Sequence, residues 1–417
     1  MNYSLGNTLS RGGSLNADGL SLDLQFATDK TLTARKGPTP TFTRASTATY
    51  FAPSVINAAY TFDGDNYNVD VYQTALFNGR YRWEGGDTWL FYNGTTWELN
   101  HDGNAVATSA PTSVAWRPDL ANWSGTGVTI SAGSTFGIVI AAVNEPRFDH
   151  NTTAPNASRG LLIEESRTNL VFPSDTLTTQ TCTVTAVAHT LSFYGTGTVV
   201  LSGVATATVT GTGAYPTRTT LTFTPTAGSL TLTVTGSVTQ AQLEAGAFVT
   251  SYIPTTTASV VRSADLCSIT GSDFTNFYNQ SEGTIVGSGL TNQPTTNAGP
   301  VLFKSSDATN NNRVQVGMTN VTGEAVRPFI VASGTTTYSS NQGTATVGVE
   351  RKVGIAYKTN DTISAFNGTL GTLDTTVTLP TNCNQVVLFS GLGNGTISSL
   401  RYFKKRLPNA KLQTFTT

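Results

Sequence analysis

Apolar and polar residues alternate along much of the chain, in short runs that end at turn residues. Residues 20–27 read LSLDLQFA, in which Leu22, Leu24 and Phe26 occupy every second position. This period of two indicates a half-buried strand. The same alternation recurs through residues 172–250 between glycine-containing turns, and several short strands at such spacing predict a β-sandwich there.

The last third of the chain repeats this pattern with longer apolar runs, such as RKVGIAYK and QVVLFSG. These runs predict a jelly roll over residues 255–417. Only the segment NAKLQTF near the end indicates a helix, because Pro408 and Asn409 precede it as a start signal.

All five tryptophans fall within residues 83–123. Asn93 and Gly94 stand between TWLFY and TTWEL, and this pair favours a two-residue hairpin turn. A segment of this size has little core, so large aromatic side chains are an efficient way to hold it together. The pattern predicts a small β-meander inserted into the first domain.

The predicted architecture is all-β and multidomain, because 417 residues are too many for one ordinary core. It combines β-sandwich and jelly-roll domains with the small inserted β-meander. The expected division of the chain is an N-terminal arm with the first strands of the first domain (1–57), the tryptophan-rich β-meander (58–128), the return strands of the first domain (129–171), a β-sandwich (172–250) and a jelly roll (255–417).

Charge and composition narrow the range of partners. The chain has 24 Lys and Arg against 25 Asp and Glu, a formal net charge of −1, which gives no basic face for nucleic acid. No apolar run reaches the length of a membrane span. Cys182, Cys267 and Cys383 lie too far apart for a zinc site or a disulfide framework. We expect reduced thiols, no nucleic-acid partner and no membrane partner.

The chain contains no recognisable catalytic or metal-binding motif, since a nucleophile elbow, a zinc motif and a phosphate loop are all missing from it. Asp63, Asp65 and Asp70 lie in DGDNYNVD, but Tyr67 takes the fifth position and the required glycine is missing, so the calcium-loop pattern fails. We predict no catalytic residue, no metal and no cofactor. A carboxylate pair from distant segments stays open, because two carboxylates suffice for glycoside hydrolysis.

The tryptophan-rich segment carries the binding hypothesis. Exposed Trp and Tyr rings stack on the C–H faces of sugars, while nearby Asp and Asn bind hydroxyl groups. The alternative is that these aromatics form the core of the small domain, and both can be true of different residues. The carbohydrate-binding candidates are Trp83, Trp89, Tyr92, Trp97, Trp116 and Trp123.

Residues 146–171, PRFDHNTTAPNASRGLLIEESRTNLV, gather charges in a chain in which only 12% of residues are charged. An active site, a binding site and a structural cross-brace are the alternatives. Glu164 and Glu165 are adjacent, so on a strand their side chains point to opposite faces and at most one enters a given site.

Five segments of the chain resemble bacteriophage virion proteins of the tail-fibre and head-decoration type. In order, they read TFTRASTATYF, EPRFDHNTTAPNASRGLLIEESRTNLV, QLEAGAFVTSYIPTTTASVVRSADLCSITG, SEGTI and LRYFKKRLPNAKLQTFT. The resemblance covers residues 22–50, 143–171, 240–284 and 398–417. It implies a virion-attachment role for the first domain and a concanavalin-like lectin sandwich for residues 255–417. In the resembling proteins ATYF is followed within a short stretch by EPRFD, whereas here about 90 residues intervene and hold every tryptophan.

For a protein that resembles this class, we interpret the charged stretch as bracing between the first domain and the sandwich. Bidentate arginine–carboxylate pairs fix strand ends geometrically, and the loss of one partner from a buried pair is costly. The expected charge network consists of Arg44, Arg147, Asp149, Arg159, Glu164, Glu165, Arg167 and Glu244.

The resemblance and the tryptophans together favour a tail fibre or adhesin that binds host surface polysaccharide without cleaving it. A homotrimer is expected, because repeated weak sites act together. The N-terminal region is expected to contact other virion proteins, and the protein is expected in the virion after synthesis in the host bacterial cytoplasm. The alternatives are a capsid decoration or head-fibre protein with an assembly role and, third, a polysaccharide depolymerase.

Overall fold

The computed structural model describes most of the chain and divides it into two compact units, Met1–Tyr50 with Ile140–Thr417, and Phe51–Val139. Between residues 53 and 136 the structure describes the backbone of the strands only. The described residues are 18–53, 56–62, 65–71, 80–82, 88–92, 97–101, 104–109, 124–125, 128–129, 136–153, 156–213, 216–293, 301–317, 326–343, 346–389 and 393–417.

The first half of the described chain is built almost wholly from short strands. It begins with β1 (Leu20–Leu24), α1 (Phe26–Asp29), β2 (Thr41–Thr43) and β3 (Ala48–Pro53). It continues with β4 (Ile56–Phe62), β5 (Asp65–Val71), β6 (Arg80–Arg82), β7 (Thr88–Tyr92), β8 (Trp97–His101), β9 (Asn104–Ser109), β10 (Ser124–Gly125) and β11 (Val128–Thr129). It returns through β12 (Phe136–Ala141), β13 (Arg147–His150), β14 (Ser158–Glu164) and β15 (Arg167–Asn169).

The second half of the chain adds longer strands and two more helices. Its first group is β16 (Gln180–Val184), β17 (His189–Tyr194), β18 (Thr198–Gly203), β19 (Ala207–Thr210), β20 (Thr219–Phe223), β21 (Gly228–Thr235) and β22 (Thr239–Ala245). The second group is β23 (Val260–Arg262), β24 (Leu266–Thr270), α2 (Gly271–Phe277), β25 (Glu282–Thr291), β26 (Val301–Ser306), β27 (Arg313–Gly317), β28 (Arg327–Ala332) and β29 (Thr335–Ser339). The last is β30 (Arg351–Lys358), β31 (Ile363–Phe366), β32 (Thr369–Leu370), β33 (Gln385–Leu388), β34 (Asn394–Phe403) and α3 (Asn409–Thr416).

The larger sandwich consists of two antiparallel sheets around one apolar core. An eight-stranded sheet has the order β13-β14-β34-β25-β30-β31-β32, with β1 also paired to β34, and a seven-stranded sheet has the order β2-β24-β33-β26-β27-β28-β29. Leu22, Leu161, Ile269, Ile285 and Tyr402 are among the buried residues of the shared core. These side chains come from strands of both sheets, so the core lies between the two sheets as in a face-to-face sandwich.

Strands expected in a separate first domain pair within this larger sandwich. Strand β34 is ten residues long, and β14 pairs with its Asn394–Ile397 end while β1 pairs with its Leu400–Phe403 end. Strand β2 likewise pairs with β24 in the other sheet. The physical reason is that Leu22, Leu24 and Ile163 fill the core of the sandwich and are fully or almost fully buried there.

The smaller sandwich occupies the segment in which alternation predicts one. Its four-stranded sheet has the order β16-β21-β18-β19, and its three-stranded sheet has the order β20-β17-β22. On β21, Leu230 and Leu232 are fully buried, whereas the intervening Thr231 is partly exposed. This period of two is the one the sequence shows.

The second unit contains the predicted β-meander. Strands β6, β7, β8 and β9 form a four-stranded antiparallel sheet in sequence order, and β4 pairs with β5. Strands β7 and β8 pair with each other, as the hairpin prediction requires, but the turn length predicted at Asn93 and Gly94 is wrong. The register joins Tyr92 to Trp97, so four residues separate the two strands instead of two, and this connection, 93–96, lies outside the described residues. The prediction of an all-β, multi-sheet sandwich protein with an inserted meander is confirmed.

Helices are short in the described part of the chain. The helix predicted near the C-terminus is α3, whereas the sequence pattern missed α2, which places Phe274 and Phe277 in the core beside Tyr278. None of the described helices has the length and apolarity needed to cross a bilayer.

Candidate functional site

A cluster of five charged side chains lies buried in the first unit. It contains three arginines and two carboxylates, and each of these side chains is at most 2% exposed. We call this group the arginine cluster, and its members are Arg44, Arg147, Arg262, Glu164 and Asp265. Such a buried arrangement is tolerated only when the charges are paired and hydrogen-bonded.

Arg147 is the centre of the arginine cluster, because it binds both carboxylates. Its Nη1 donates to Glu164 Oε2 at 2.7 Å and to the Thr49 carbonyl oxygen at 2.7 Å. Its Nη2 donates to Asp265 Oδ2 at 2.5 Å. The other oxygen of Asp265, Oδ1, accepts from Arg44 Nη1 at 3.1 Å. One guanidinium therefore fixes two carboxylates that come from positions 101 residues apart.

Glu164 is held as a carboxylate by several donors. Arg262 Nη1 lies 2.9 Å from Glu164 Oε2, and Ser251 donates its backbone N–H to Oε1 at 2.8 Å and its hydroxyl to Oε2 at 2.6 Å. Burial alone would raise the pKa of Glu164, but Arg262, Arg147 and the two bonds from Ser251 outweigh it and lower the pKa to about 2. At neutral pH this group is a fixed negative charge.

The elements that position these side chains belong to different parts of the first unit. Strands β13 and β14 carry Arg147 and Glu164, β23 carries Arg262, and Asp265 precedes β24. Ser251 belongs to the segment that leaves the smaller sandwich after β22. The cluster therefore ties the edge of the larger sandwich to the segment that joins the two sandwiches.

The remaining members of the predicted charge network lie around this cluster with other partners. Glu165 forms an ion pair with Arg167, whose guanidinium also stacks 4.6 Å from the centroid of the Phe248 ring. Arg159 donates from Nη2 to Asn151 Oδ1 at 3.3 Å. Asp149 lies on β13 and is 9% exposed.

Glu244, expected to pair with an arginine, is fully buried and is satisfied by neutral donors. Its Oε1 accepts from Gln242 Nε2 at 2.7 Å and from the Thr250 backbone N–H at 2.9 Å. Its Oε2 accepts from the Thr250 hydroxyl at 2.7 Å. These bonds provide the Glu244 carboxyl oxygens with partners where no direct arginine contact occurs among the described residues.

Sequence reasoning missed two of the five cluster members, Arg262 and Asp265. Both lie in VVRSADLC, where they are charges beside apolar residues. This feature is a usable signal, because isolated charges next to apolar positions of a strand are buried only with a partner.

The arginine cluster is suited to structural support and not to proton transfer. The carboxylates of Glu164 and Asp265 are almost completely buried and share Arg147 as a partner. A general acid needs a pKa near the working pH and contact with its substrate, and neither holds for Glu164. Within the part of the chain that the structure describes, no group of three or more His, Cys, Asp or Glu side chains has the arrangement of a metal site.

The tryptophan candidates lie in the second unit. Trp89 and Tyr92 are on β7 and Trp97 is on β8, and the register pairs Tyr92 with Trp97 and Trp89 with Asn100. Because successive strand residues alternate between faces, the Tyr92–Trp97 pair and Trp89 take positions on opposite faces of this sheet. The three other candidates, Trp83, Trp116 and Trp123, lie outside the described residues.

Comparison with known proteins yields solved structures alone, since neither a family model nor a curated protein matches the chain. CBM40 of the Ruminococcus gnavus IT-sialidase, bound to alpha2,3 sialyllactose, is 16% identical and covers 33% of this chain and 83% of its own, with a TM-score of 0.28. Domain 4 of the Geobacillus stearothermophilus arabinanase AbnA, in complex with arabinotriose, is 12% identical and covers 40% and 81%, with a TM-score of 0.30. Trypanosoma rangeli sialidase is 10% identical and covers 89% and 94%, with a TM-score of 0.27. At such TM-scores these similarities support no statement about what this chain binds or does.

Proposed function

We propose that this protein is a glycan-binding structural protein that does not cleave its ligand. The observation that carries the proposal is the second unit, Phe51–Val139, which is compact in itself and contains all five tryptophans of the chain. The large, flat ring of tryptophan is the side chain best suited to stack on the apolar face of a sugar.

The rest of the chain supports a scaffold role in this proposal. The arginine cluster holds the edge of the larger sandwich against Ser251, in the segment that joins the two sandwiches of the first unit, and its hydrogen bonds fix strand ends in one arrangement. Binding residues are commonly inserted into a rigid β framework as separate segments. The chain between β3 and β12, which pair with each other, has this character.

The proposed setting is a bacteriophage tail fibre or adhesin located in the virion, with host surface polysaccharide as ligand. The order of the five resembling segments supports this setting. A homotrimer with its N-terminal region on other virion proteins fits the same setting, because three linked copies raise the effective concentration of weak sugar sites.

The depolymerase alternative receives no support from the carboxylates that the fold brings together. Glu164 and Asp265 are both bound to Arg147 and lie away from solvent. A glycoside hydrolase needs one carboxyl group that holds a proton near neutral pH, and the lowered pKa of Glu164 is the opposite condition.

The proposal is tested by capture of the full chain on a panel of bacterial surface polysaccharides, with the size of each polymer checked afterwards by gel filtration. We expect binding with unchanged polymer length. Since Trp89 and Trp97 hold positions on opposite faces, Trp89→Ala and Trp97→Ala are made separately and together. We expect at least one single variant to lose binding while the melting curve of the first unit is retained. Shortened polymer, or full binding by the folded double variant, would overturn the proposal.

A further inference from the structure

Three cationic side chains occupy the outer face of the seven-stranded sheet. In β27 and β28, Val314, Val316 and Ile330 point into the core of the larger sandwich, so the alternate residues of these strands point outward. Lys304, Arg313 and Arg327 lie on β26, β27 and β28, at outward positions of three neighbouring strands.

The two arginines converge on one aromatic ring. The register pairs Gln315 with Phe329, and Arg313 and Arg327 lie in the rows on either side of that pair. The Arg313 guanidinium carbon lies 4.8 Å from the centroid of the Phe329 ring, and that of Arg327 lies 5.0 Å from it. Phe329 is only 6% exposed, so the ring works as a platform beneath the guanidinium groups.

These arginines contrast with those of the arginine cluster in having no anionic partner among the residues that the structure describes. Within the described ranges, neither Arg313 nor Arg327 takes part in an ion pair or a side-chain hydrogen bond. The Nε atom of each is buried without an acceptor, as the Nε of Arg147 is in the arginine cluster, so the contrast lies in the missing carboxylate. Ser306, the register partner of Arg313, is 1% exposed, and its hydroxyl also has no partner among the described residues.

The nearby acidic group does not neutralise this face. Lys304 Nζ donates to Asn310 Oδ1 at 3.0 Å, and the only acid among the described neighbours, Asp307, is partly exposed on the β26–β27 connection. The carboxylate of Asp307 accepts bonds from Thr309 and Asn312. Burial and the charge of Arg327 lower the pKa of Arg313, and burial followed by the charge of Arg313 lowers that of Lys304. Like charges are thus held together at a cost that a bound anion would remove.

We propose that this cationic patch, formed by Lys304, Arg313 and Arg327 around Phe329, binds an oxyanion carried on a polysaccharide. Two guanidinium groups with free donors match a planar carboxylate or a sulfate, which accept two parallel hydrogen bonds. The patch lies across three strands about 4.8 Å apart, which suits an extended polymer. The inference rests on the proposed function in taking the ligand to be a saccharide, and it assigns this second site to residues of the large sandwich in the first unit.

The test is affinity electrophoresis, which measures how far polygalacturonate, dextran sulfate or neutral dextran in the gel retards the full chain. Polygalacturonate and dextran sulfate separate carboxylate from sulfate recognition, and dextran and dextran sulfate differ only in the anionic group. We expect binding to at least one anionic polymer, weakened by added salt, and no retardation by dextran. In Arg313→Gln/Arg327→Gln we expect affinity to fall about ten- to a hundredfold, since each lost bond is charge-assisted.

The matched control removes two positive charges elsewhere. Lys358 and Lys405 are both exposed, so Lys358→Gln/Lys405→Gln changes net charge equally and is expected to lower affinity less than about twofold, as screened surface charges do. Arg313→Lys/Arg327→Lys keeps both positive charges but loses the planar guanidinium groups that donate two parallel hydrogen bonds. An affinity between those of the wild type and the Arg→Gln pair supports the bidentate geometry.

Three outcomes would overturn the inference. They are failure of the wild-type chain to bind either anionic polymer, equal losses in the arginine and lysine pairs, and tighter binding of a single-stranded oligonucleotide than of either polymer. If the arginine pair binds unchanged while the tryptophan variants lose their ligand, the second site fails and the proposed function stands. If the tryptophan variants bind unchanged while the arginine pair loses the anionic polymers, the proposed function of the inserted unit fails instead.

Discussion

The arginine cluster and the cationic patch place the same side chain in two opposite electrostatic situations. Arg147 is fully buried and binds Glu164 and Asp265, whereas Arg313 and Arg327 are half-buried on a sheet face and bind only a ring within the described chain. A buried charge that loses its partner destabilises the fold, whereas a charge left partly open costs little and stays free for a ligand. The difference separates residues retained for stability from residues available for binding.

The largest effect is expected from the centre of the arginine cluster. Arg147→Ala leaves the carboxylates of Glu164 and Asp265 buried with fewer partners, so we expect a loss of about 3–5 kcal/mol in the free energy of unfolding. Urea denaturation followed by far-ultraviolet circular dichroism measures it, because all five tryptophans lie in the second unit and their fluorescence would not report on the first. The matched control is Arg35→Ala, because Arg35 pairs with Asp29 while its side chain is 46% exposed, and a loss below about 1 kcal/mol is expected there. Equal losses of unfolding free energy in Arg147→Ala and Arg35→Ala would contradict the claim that the buried cluster supports the fold more than an exposed ion pair does.

Acid should weaken the cluster in a defined pH window. The pKa of Glu164 is about 2 in the folded chain against an ordinary 4.5, so the stability that this group contributes is present above pH 4.5 and is lost as the pH falls toward 2. The shift corresponds to a contribution on the order of 3 kcal/mol. We expect a shallower fall in the free energy of unfolding across this window for Glu164→Gln than for the wild type. Parallel curves for the two proteins would place the acid sensitivity elsewhere.

The Glu165–Arg167 ion pair is less deeply buried than the arginine cluster, and its packing can be tested through the neighbouring glycine. Arg167 packs against Gly246, where an added Cβ would meet the guanidinium at 1.5 Å, and Gly246 has a φ of +138°. Gly246→Ala should therefore cost about 1–3 kcal/mol from the backbone, with the displacement of Arg167 in addition. Gly213→Ala is the control, because Gly213 has a similar φ of +149° and open space around it. A smaller loss for Gly246→Ala than for Gly213→Ala in thermal denaturation would contradict the packing.

The smallest stability effect is expected at the cationic patch. Arg313→Gln/Arg327→Gln removes two ring contacts worth about 0.5–1 kcal/mol each, but it also removes repulsion between like charges. We expect the free energy of unfolding to change by less than about 1 kcal/mol. A loss as large as that of Arg147→Ala would show that the patch supports the fold.

The strands of the smaller sandwich could be predicted from the sequence, because Leu230, Leu232 and their neighbours alternate with the pleat of the sheet. The partners of β34 could not, since pairing of Leu161 with Ile397 joins segments that have no shared local pattern. Helix α2 escaped prediction because GSDFTNF is short and begins with glycine.

The concentration of charge between residues 146 and 171 made Arg147 and Glu164 predictable as members of a charge network. Their partners Arg262 and Asp265 could not be predicted, because only the folded chain brings residues about 100 positions apart together. The cationic patch depends on register in the same way. Lys304, Arg313 and Arg327 are ordinary surface charges in sequence, and only the order β26-β27-β28 brings them to one face. Long-range pairing therefore determines most of what the sequence could not predict about the candidate sites.

The most direct measurement is a crossed comparison of Arg147→Ala and Arg313→Gln/Arg327→Gln, with the free energy of unfolding and the affinity for anionic polysaccharide determined for both. We predict that Arg147→Ala loses stability and, under conditions where it is folded, binds as the wild type does. The Arg313 and Arg327 pair should keep its stability and lose affinity. If each variant lost both properties, or if the patch variant bound unchanged, the separation between support and recognition would be contradicted.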